Sequence, residues 1–238
     1  MTEQDLDQLV ASMTGPSSAR LDAVAGAMPG TGADALIAFN SLRRTLADLP
    51  GIGQAAAQQI ATLRNDVESG HLPLDHRRSL ERATRDGASL TVKKMNEAAH
   101  AGVAKIAGHL EDGLLPSAAR VDPGVRSLRR QEVQTAMAAQ PSGTPLARAR
   151  SILGRSAGWD AELLSEYGKA LVGDDHGSLR AAAVLKWRDR GDGTERQLAS
   201  RKALKAVEAA NLPGTVSAFE AAARVHLDGD RMPARRTS

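Results

Sequence analysis

The sequence predicts an all-α fold, a multi-helix bundle with one long central helix and a C-terminal bundle of short helices. Apolar residues recur at intervals of three and four along nearly all of the 238 residues, as on the buried faces of helices. Aromatic residues make up only 2% of the chain, and alanine and leucine supply most of the apolar content, which suits closely packed helices better than sheets. No alternation of apolar and polar residues lasts beyond four or five positions, so no strand is predicted.

The N-terminal segment, residues 1–72, is predicted to hold four short helices separated by Pro-Gly corners. Thr2 is expected to cap the first helix, and Gly15-Pro16 to end it. Pro29-Gly30 and Pro50-Gly51 are expected to end the second and third helices in the same way. Each of these helices carries leucine, valine or isoleucine at helical spacing.

The long central helix is predicted from Asp75 to about Asp112. A helix of that length would span roughly 55 Å, which is longer than a compact domain of this size is wide. It therefore needs a partner helix or another subunit along much of its length. We predict that its apolar stripe is a self-association face, formed by Val92, Met95, Ala99, Val103, Ile106 and Leu110.

The remaining chain is divided by a linker candidate, Gln140-Pro-Ser-Gly-Thr-Pro145. Segment 73–140 is predicted to contain the long helix and a return helix at 124–139. Segment 144–228 is predicted to be a helical bundle in which Thr144 and Thr194 cap helices. Its helical patterns cover 145–153, 159–172, 176–190, 194–210 and 214–227, and residues 229–238 are predicted to be a flexible tail.

One short segment carries a motif that is more specific than helical spacing. Residues 46–63 read Leu-Ala-Asp-Leu-Pro-Gly-Ile-Gly-Gln, followed by Ala57, Ile60 and Leu63 at a regular spacing. This segment resembles the helix-hairpin-helix motif of DNA-binding proteins. A partial echo, Pro29-Gly30-Thr-Gly32, lies upstream. The resemblance implies a sharp corner whose backbone amides open a helix and receive a phosphate.

In that family the hairpin contacts the DNA backbone without reading bases, so the resemblance implies sequence-tolerant binding of double-stranded DNA. The residues expected to carry it are Gly51, Ile52 and Gly53 in the hairpin and Gln54 directly after it. Arg43, Arg44 and Arg64 are the nearest cations that could contact phosphates. The alternative interpretation is that Pro-Gly is only how this chain turns between helices.

Gly154-Arg-Ser156-Ala-Gly158 matches the Gly-x-Ser-x-Gly pattern of serine hydrolases, and Asp174 or Asp175 and then His226 follow in the hydrolase order. That nucleophile elbow needs a preceding strand, whereas the residues before Gly154 are predicted to be helical. A serine hydrolase using Ser156 is therefore a remote alternative, and we predict no catalytic residues. The three arginines Arg126, Arg129 and Arg130 are candidates for phosphate contact or for an ordinary exposed face.

Composition excludes several classes of function. The chain has no cysteine, which excludes disulfides, thiolate metal sites and thiol nucleophiles. Its six histidines show no metal-ligand spacing, so no metal and no cofactor is predicted. No apolar run approaches the ~20 residues of a membrane span, and no small-molecule substrate is evident. We expect a cytoplasmic protein, or one within a phage particle.

Two hypotheses follow, both for a non-enzymatic protein. The first is backbone binding of DNA through the hairpin, helped by the basic residues 177–238, which carry twelve basic and seven acidic side chains. The second is a helical assembly component that pairs with itself or with protein partners, for example in a phage virion or head-tail particle, without touching DNA.

Overall fold

The computed structural model describes residues 3–140 and 142–228, and both the predicted Thr2 cap and the predicted tail at 229–238 lie outside these residues. The described chain is helical with no strand, which confirms the all-α prediction. The helices are α1 (Glu3–Ala27), α2 (Ala33–Glu68), α3 (Leu74–Leu114), α4 (Pro123–Ala138), α5 (Pro145–Ile152), α6 (Ala157–Leu163), α7 (Glu166–Val172), α8 (His176–Arg188), α9 (Glu195–Ala210) and α10 (Leu212–Asp228). A 3₁₀ turn at Gly173–Asp175 joins α7 to α8.

The long helix is present as predicted, because α3 runs for 41 residues without a break. Two predicted corners are wrong. Gly15-Pro16 lies inside α1, and Pro50-Gly51 lies inside α2, so four predicted N-terminal helices are two. A proline inside a helix removes one hydrogen bond and costs about 3 kcal/mol. In α2 the fully buried Leu46 and Leu49 before Pro50, and the buried Ile60 after it, offset that cost.

The chain forms two compact units. Unit 1 contains Ala33–Gly108 together with the described parts of Met1–Pro29 and Ala203–Ser238, and unit 2 contains Gly30–Gly32 and His109–Lys202. Two of the unit boundaries lie in the connection between α1 and α2, and the other two fall inside α3 and α9. The units group the chain differently from the predicted segments 1–72, 73–140 and 144–228, because the last helix, α10, packs with the first two.

The core of unit 1 is built where α10 packs against α1 and α2. The largest enclosed side chains on α2 are Phe39, Leu46 and Leu49, each at most 1% exposed. On α10, Val216 and Phe219 are buried as well. The contact between α2 and α10 is close enough that only glycine fits at one position of the crossing, Gly53.

Unit 2 is a bundle of short helices tied together by two buried carboxylates on α6. Glu162 accepts hydrogen bonds from Arg126 and Arg130 of α4, both at 2.9 Å. Asp160 accepts from the Gly154 amide at 2.8 Å and from Nε1 of Trp187 at 2.8 Å. These hydrogen bonds link α6 to α4, to α8 and to the connection that follows α5.

The helix predicted at 159–172 is two helices, α6 and α7. The Ser165 hydroxyl accepts from the Tyr167 amide and starts α7 as its N-cap. Thr144 and Thr194 cap α5 and α9 as predicted, each accepting from an amide in the first helical turn.

Candidate binding surfaces

The predicted DNA-binding residues do not form a corner. Gly51, Ile52 and Gly53 lie in the middle of α2, and neither glycine has a positive φ. In a continuous α-helix each amide donates to the carbonyl four residues earlier. The amides of these three residues therefore donate hydrogen bonds within α2. Binding of a phosphate, as the DNA-binding motif implies, needs amides at the start of a helix that have no such acceptor.

The two glycines have different surroundings. A Cβ placed on Gly53 would collide with the Ala223 carbonyl oxygen of α10 and lie 3.0 Å from the Ala223 carbonyl carbon. A Cβ on Gly51 would meet nothing within 4 Å. Gly53 is thus the position at which α10 crosses α2 closely, and Gly51 is on the exposed side of the helix.

The other residues of the predicted DNA site are scattered over unit 1. Arg43 pairs with Asp22, and Arg64 pairs with Glu81 of α3 at 3.3 Å. Gln54 is half-buried. Arg44 is exposed and has no ion-pair partner among the described residues. It lies seven residues before Gly51, so both occupy one face of α2.

The predicted self-association face of α3 is largely core within a single chain. Four of its six residues are at most 1% exposed: Val92, Ala99, Ile106 and Leu110. The other two, Met95 and Val103, are half-buried. Gly102, next to this stripe, faces Leu42 of α2. The long helix did need a partner, as expected, but helices of the same chain provide it, so this stripe is not a free surface.

A second apolar stripe on α3 was missed from the sequence. Leu80, Ala83, Gly87 and Leu90 are all exposed, and the two leucines are 44% and 53% exposed. Their spacing of three, four and three residues places them on one face of α3, away from the buried stripe. The same spacing rule that found the buried stripe could have found this one.

Three residues of the exposed stripe, Leu80, Ala83 and Gly87, line one wall of a mainly apolar groove between α2 and α3. The groove has a volume of about 530 Å³ and contains no charged side chain in its lining. On the α2 side it is lined by Ile52, Ala55, Ala56 and Gln59, and on the α3 side by Leu80, Ala83, Thr84, Gly87 and Ala88. Most of these side chains are small, so a helix laid in the groove could approach both walls closely.

The residues of the Gly-x-Ser-x-Gly hydrolase pattern and its possible partners have structural roles or lie in different units. The Ser156 hydroxyl accepts from the Gly158 amide at 3.2 Å and caps α6. Asp174 and Asp175 form the 3₁₀ turn before α8. His226 belongs to unit 1, where its ring nitrogen lies 3.7 Å from Asp7.

Within the described ranges, no cluster of three or more histidine and carboxylate side chains is placed to hold a metal ion. None of the described helices has the length and apolar character to cross a membrane. Comparisons of the chain with protein-family models, with curated proteins and with solved structures gave no match.

Proposed function

We propose that the protein is a non-enzymatic helical assembly protein that pairs with a second copy of itself through the exposed stripe of α3 and the adjoining groove. One observation supports this proposal above the others. The stripe reads Leu-x₂-Ala-x₃-Gly-x₂-Leu, which has the same spacing in both chain directions. Two small residues lie in the centre, and a large apolar residue lies at each end.

Such a pattern is self-complementary about a twofold axis. When two copies of α3 run antiparallel, Leu80 of one copy faces Leu90 of its partner, and Ala83 faces Gly87. The small central residues allow the two helices to approach closely, and the four leucines close the ends of the contact. Twofold pairing of one surface with itself is the commonest symmetry of soluble homo-oligomers.

The first test measures mass by sedimentation equilibrium across a dilution series of the wild type and three variants. Burying the exposed part of one leucine contributes roughly 1 kcal/mol. Twofold symmetry counts this contribution twice, so Leu80→Asp and Leu90→Asp should each raise the dimer dissociation constant about 30-fold. Leu185→Asp is the matched control, because Leu185 is 63% exposed but lies on α8. A wild type that stays monomeric, or a dimer unchanged by Leu80→Asp, contradicts the proposal.

The second test determines the direction of pairing. The chain has no cysteine, so single-cysteine variants report on one contact each. Under mild oxidation, a mixture of Ala83→Cys and Gly87→Cys chains should give mainly the mixed disulfide, since these positions face each other in the antiparallel pair. Disulfides that form mainly between identical chains would indicate parallel pairing.

DNA binding stays a prediction, carried by the resemblance at 46–63 and by Arg44 on the same face as Gly51. Its test is fluorescence anisotropy with a random duplex at low and moderate salt. The variant to compare is Gly51→Glu rather than Gly53→Glu, because a side chain at Gly53 would also disrupt the contact with α10. Salt-sensitive binding that disappears in Gly51→Glu would support DNA contact, and no binding at low salt would contradict it.

A further inference from the structure

Unit 2 contains a cleft of about 360 Å³, whose lining shares no residue with the predicted DNA site, with the two stripes of α3 or with the groove between α2 and α3. Its walls come from the end of α3 and the connection that follows, from α4, and from the first turns of α6 and α9. The polar or charged residues that line it are Asp112, Ser117, Arg129, Thr194, Arg196 and Gln197.

Two arginines in this lining, Arg129 of α4 and Arg196 of α9, have no hydrogen-bond or ion-pair partner within the described part of the chain. Other arginines nearby are paired: Arg126 and Arg130 share Glu162, and Arg180 binds Asp112 at 2.8 Å. Arg129 is also half-buried. A partly desolvated guanidinium without a counter-charge is unfavourable unless an anion binds it.

The start of α9 adds donors beside Arg196. The Thr194 amide donates to Oε1 of Gln197 at 2.9 Å, and the Gln197 amide donates back to the Thr194 hydroxyl at 3.3 Å. This reciprocal cap leaves the amides of Glu195 and Arg196 without partners inside the helix. α9 has 16 residues, so its dipole also favours negative charge at this end.

Gly158 leaves room for the Arg129 guanidinium, because a Cβ at this position would lie 2.7 Å from Nε of Arg129. A Cβ on Gly32 would be in ordinary van der Waals contact with Arg196, at 3.4 Å from Nη2. The carboxylate of Asp112, which also lines the cleft, pairs with Arg180 at 2.8 Å. The cleft therefore presents two arginines without an ion-pair partner and the start of α9, whose first turn also carries Glu195.

We propose that this cleft binds the phosphate group of a small ligand. Guanidinium groups bind the oxygens of a phosphate in bidentate fashion, and two of them from different helices can hold one phosphate from two sides. The volume is at the small end of the range for ligand pockets, which fits a phosphate with a small substituent. The walls hold Leu115, Pro116 and Ala161 for the apolar part of such a ligand.

The test is calorimetric titration at constant ionic strength with inorganic phosphate, and in parallel with a nucleoside monophosphate and with acetate. Phosphate is added to about 20 mM, which saturates a site with a Kd of about 1 mM. Arg129→Gln and Arg196→Gln should each weaken phosphate binding about tenfold, since each removes one charge-assisted contact. The matched control is Arg155→Gln, because Arg155 is exposed in the same unit and does not line the cleft.

A further variant separates geometry from charge. Gly158→Ala keeps both arginines but displaces Arg129, so it should also weaken phosphate binding while the circular dichroism spectrum stays that of the wild type. Tighter binding of the monophosphate than of inorganic phosphate would identify an ester as the ligand, whereas equal affinity would identify the free ion. No binding of either phosphate by the wild type, equal binding of acetate, or full binding by Arg129→Gln would overturn the proposal.

Discussion

Replacing Gly53 with alanine should destabilise the protein, while the same replacement at Gly51, two residues earlier in the same helix, should stabilise it. At Gly53 the new methyl group would collide with the carbonyl oxygen of Ala223, which belongs to the backbone of α10 and cannot rotate away. At Gly51 the methyl group meets no atom within 4 Å. The two variants therefore differ in packing but not in chemistry.

The magnitudes follow from two opposing effects. Alanine favours a helix interior over glycine by about 1 kcal/mol, and Gly51→Ala should gain that amount. Gly53→Ala gains the same amount but overpacks a helix crossing, which costs about 3 kcal/mol when backbone must move. The net loss is about 2 kcal/mol. For a chain of this length we expect the midpoint of thermal unfolding to rise by about 3 °C in Gly51→Ala and to fall by about 6 °C in Gly53→Ala.

Thermal unfolding followed by far-ultraviolet circular dichroism measures both changes in one experiment. A hairpin corner at 51–53 would give a different result. Both glycines would then have positive φ, and alanine at either position would destabilise the protein. Loss of stability in both variants would therefore refute the continuous helix. A gain of stability in both would refute the contact between α2 and α10.

The remaining predictions concern the two carboxylates of α6. Glu162→Gln should cost about 3 kcal/mol at neutral pH, measured by urea unfolding, because two partly buried arginines lose their shared partner. Burial raises the pKa of Glu162, but hydrogen bonds and charge from those arginines outweigh it and hold the pKa below its usual value. The stabilisation from ionised Glu162 is thus fully present above the pKa of an unfolded glutamate and is lost as the pH falls through the lowered pKa of the folded state. The difference in free energy of unfolding between wild type and Glu162→Gln should therefore become smaller below about pH 4. An unchanged gap in acid would contradict this assignment. Asp160→Ala should cost about 3 kcal/mol, since the Gly154 amide and the Trp187 indole lose their acceptor, and tryptophan fluorescence should report the loosened ring.

The fold class could be predicted from the sequence because the spacing of apolar residues is a local property. The long helix, the return helix and most C-terminal helices follow from it, with ends within two residues of those observed. The corners could not be predicted in the same way. Pro29-Gly-Thr-Gly32 and Pro50-Gly-Ile-Gly53 are nearly identical, yet the first ends a helix, with φ of +85° at Gly30 and +120° at Gly32, and the second continues one.

The difference between these two segments is set by contacts far along the chain. Gly53 is enclosed by Ala223, which is 170 residues away in sequence. Burial on both sides of Pro50 outweighs the local preference of proline and glycine for a turn. The resemblance of 46–63 to a DNA-binding hairpin rests on local residues alone, so it contains no information on that distant contact.

Candidate sites are harder to predict for the same reason. Arg126, Arg129 and Arg130 form one basic cluster in the sequence, and their local surroundings give no ground for separating them. In the fold, Arg126 and Arg130 lie one turn apart and converge on the buried Glu162, while Arg129 faces the cleft. A basic cluster therefore indicates a binding site only after the buried carboxylates have been assigned to their partners. Among the arginines described in unit 2, that assignment leaves Arg129, together with the distant Arg196, as the unpaired charges that line the cleft.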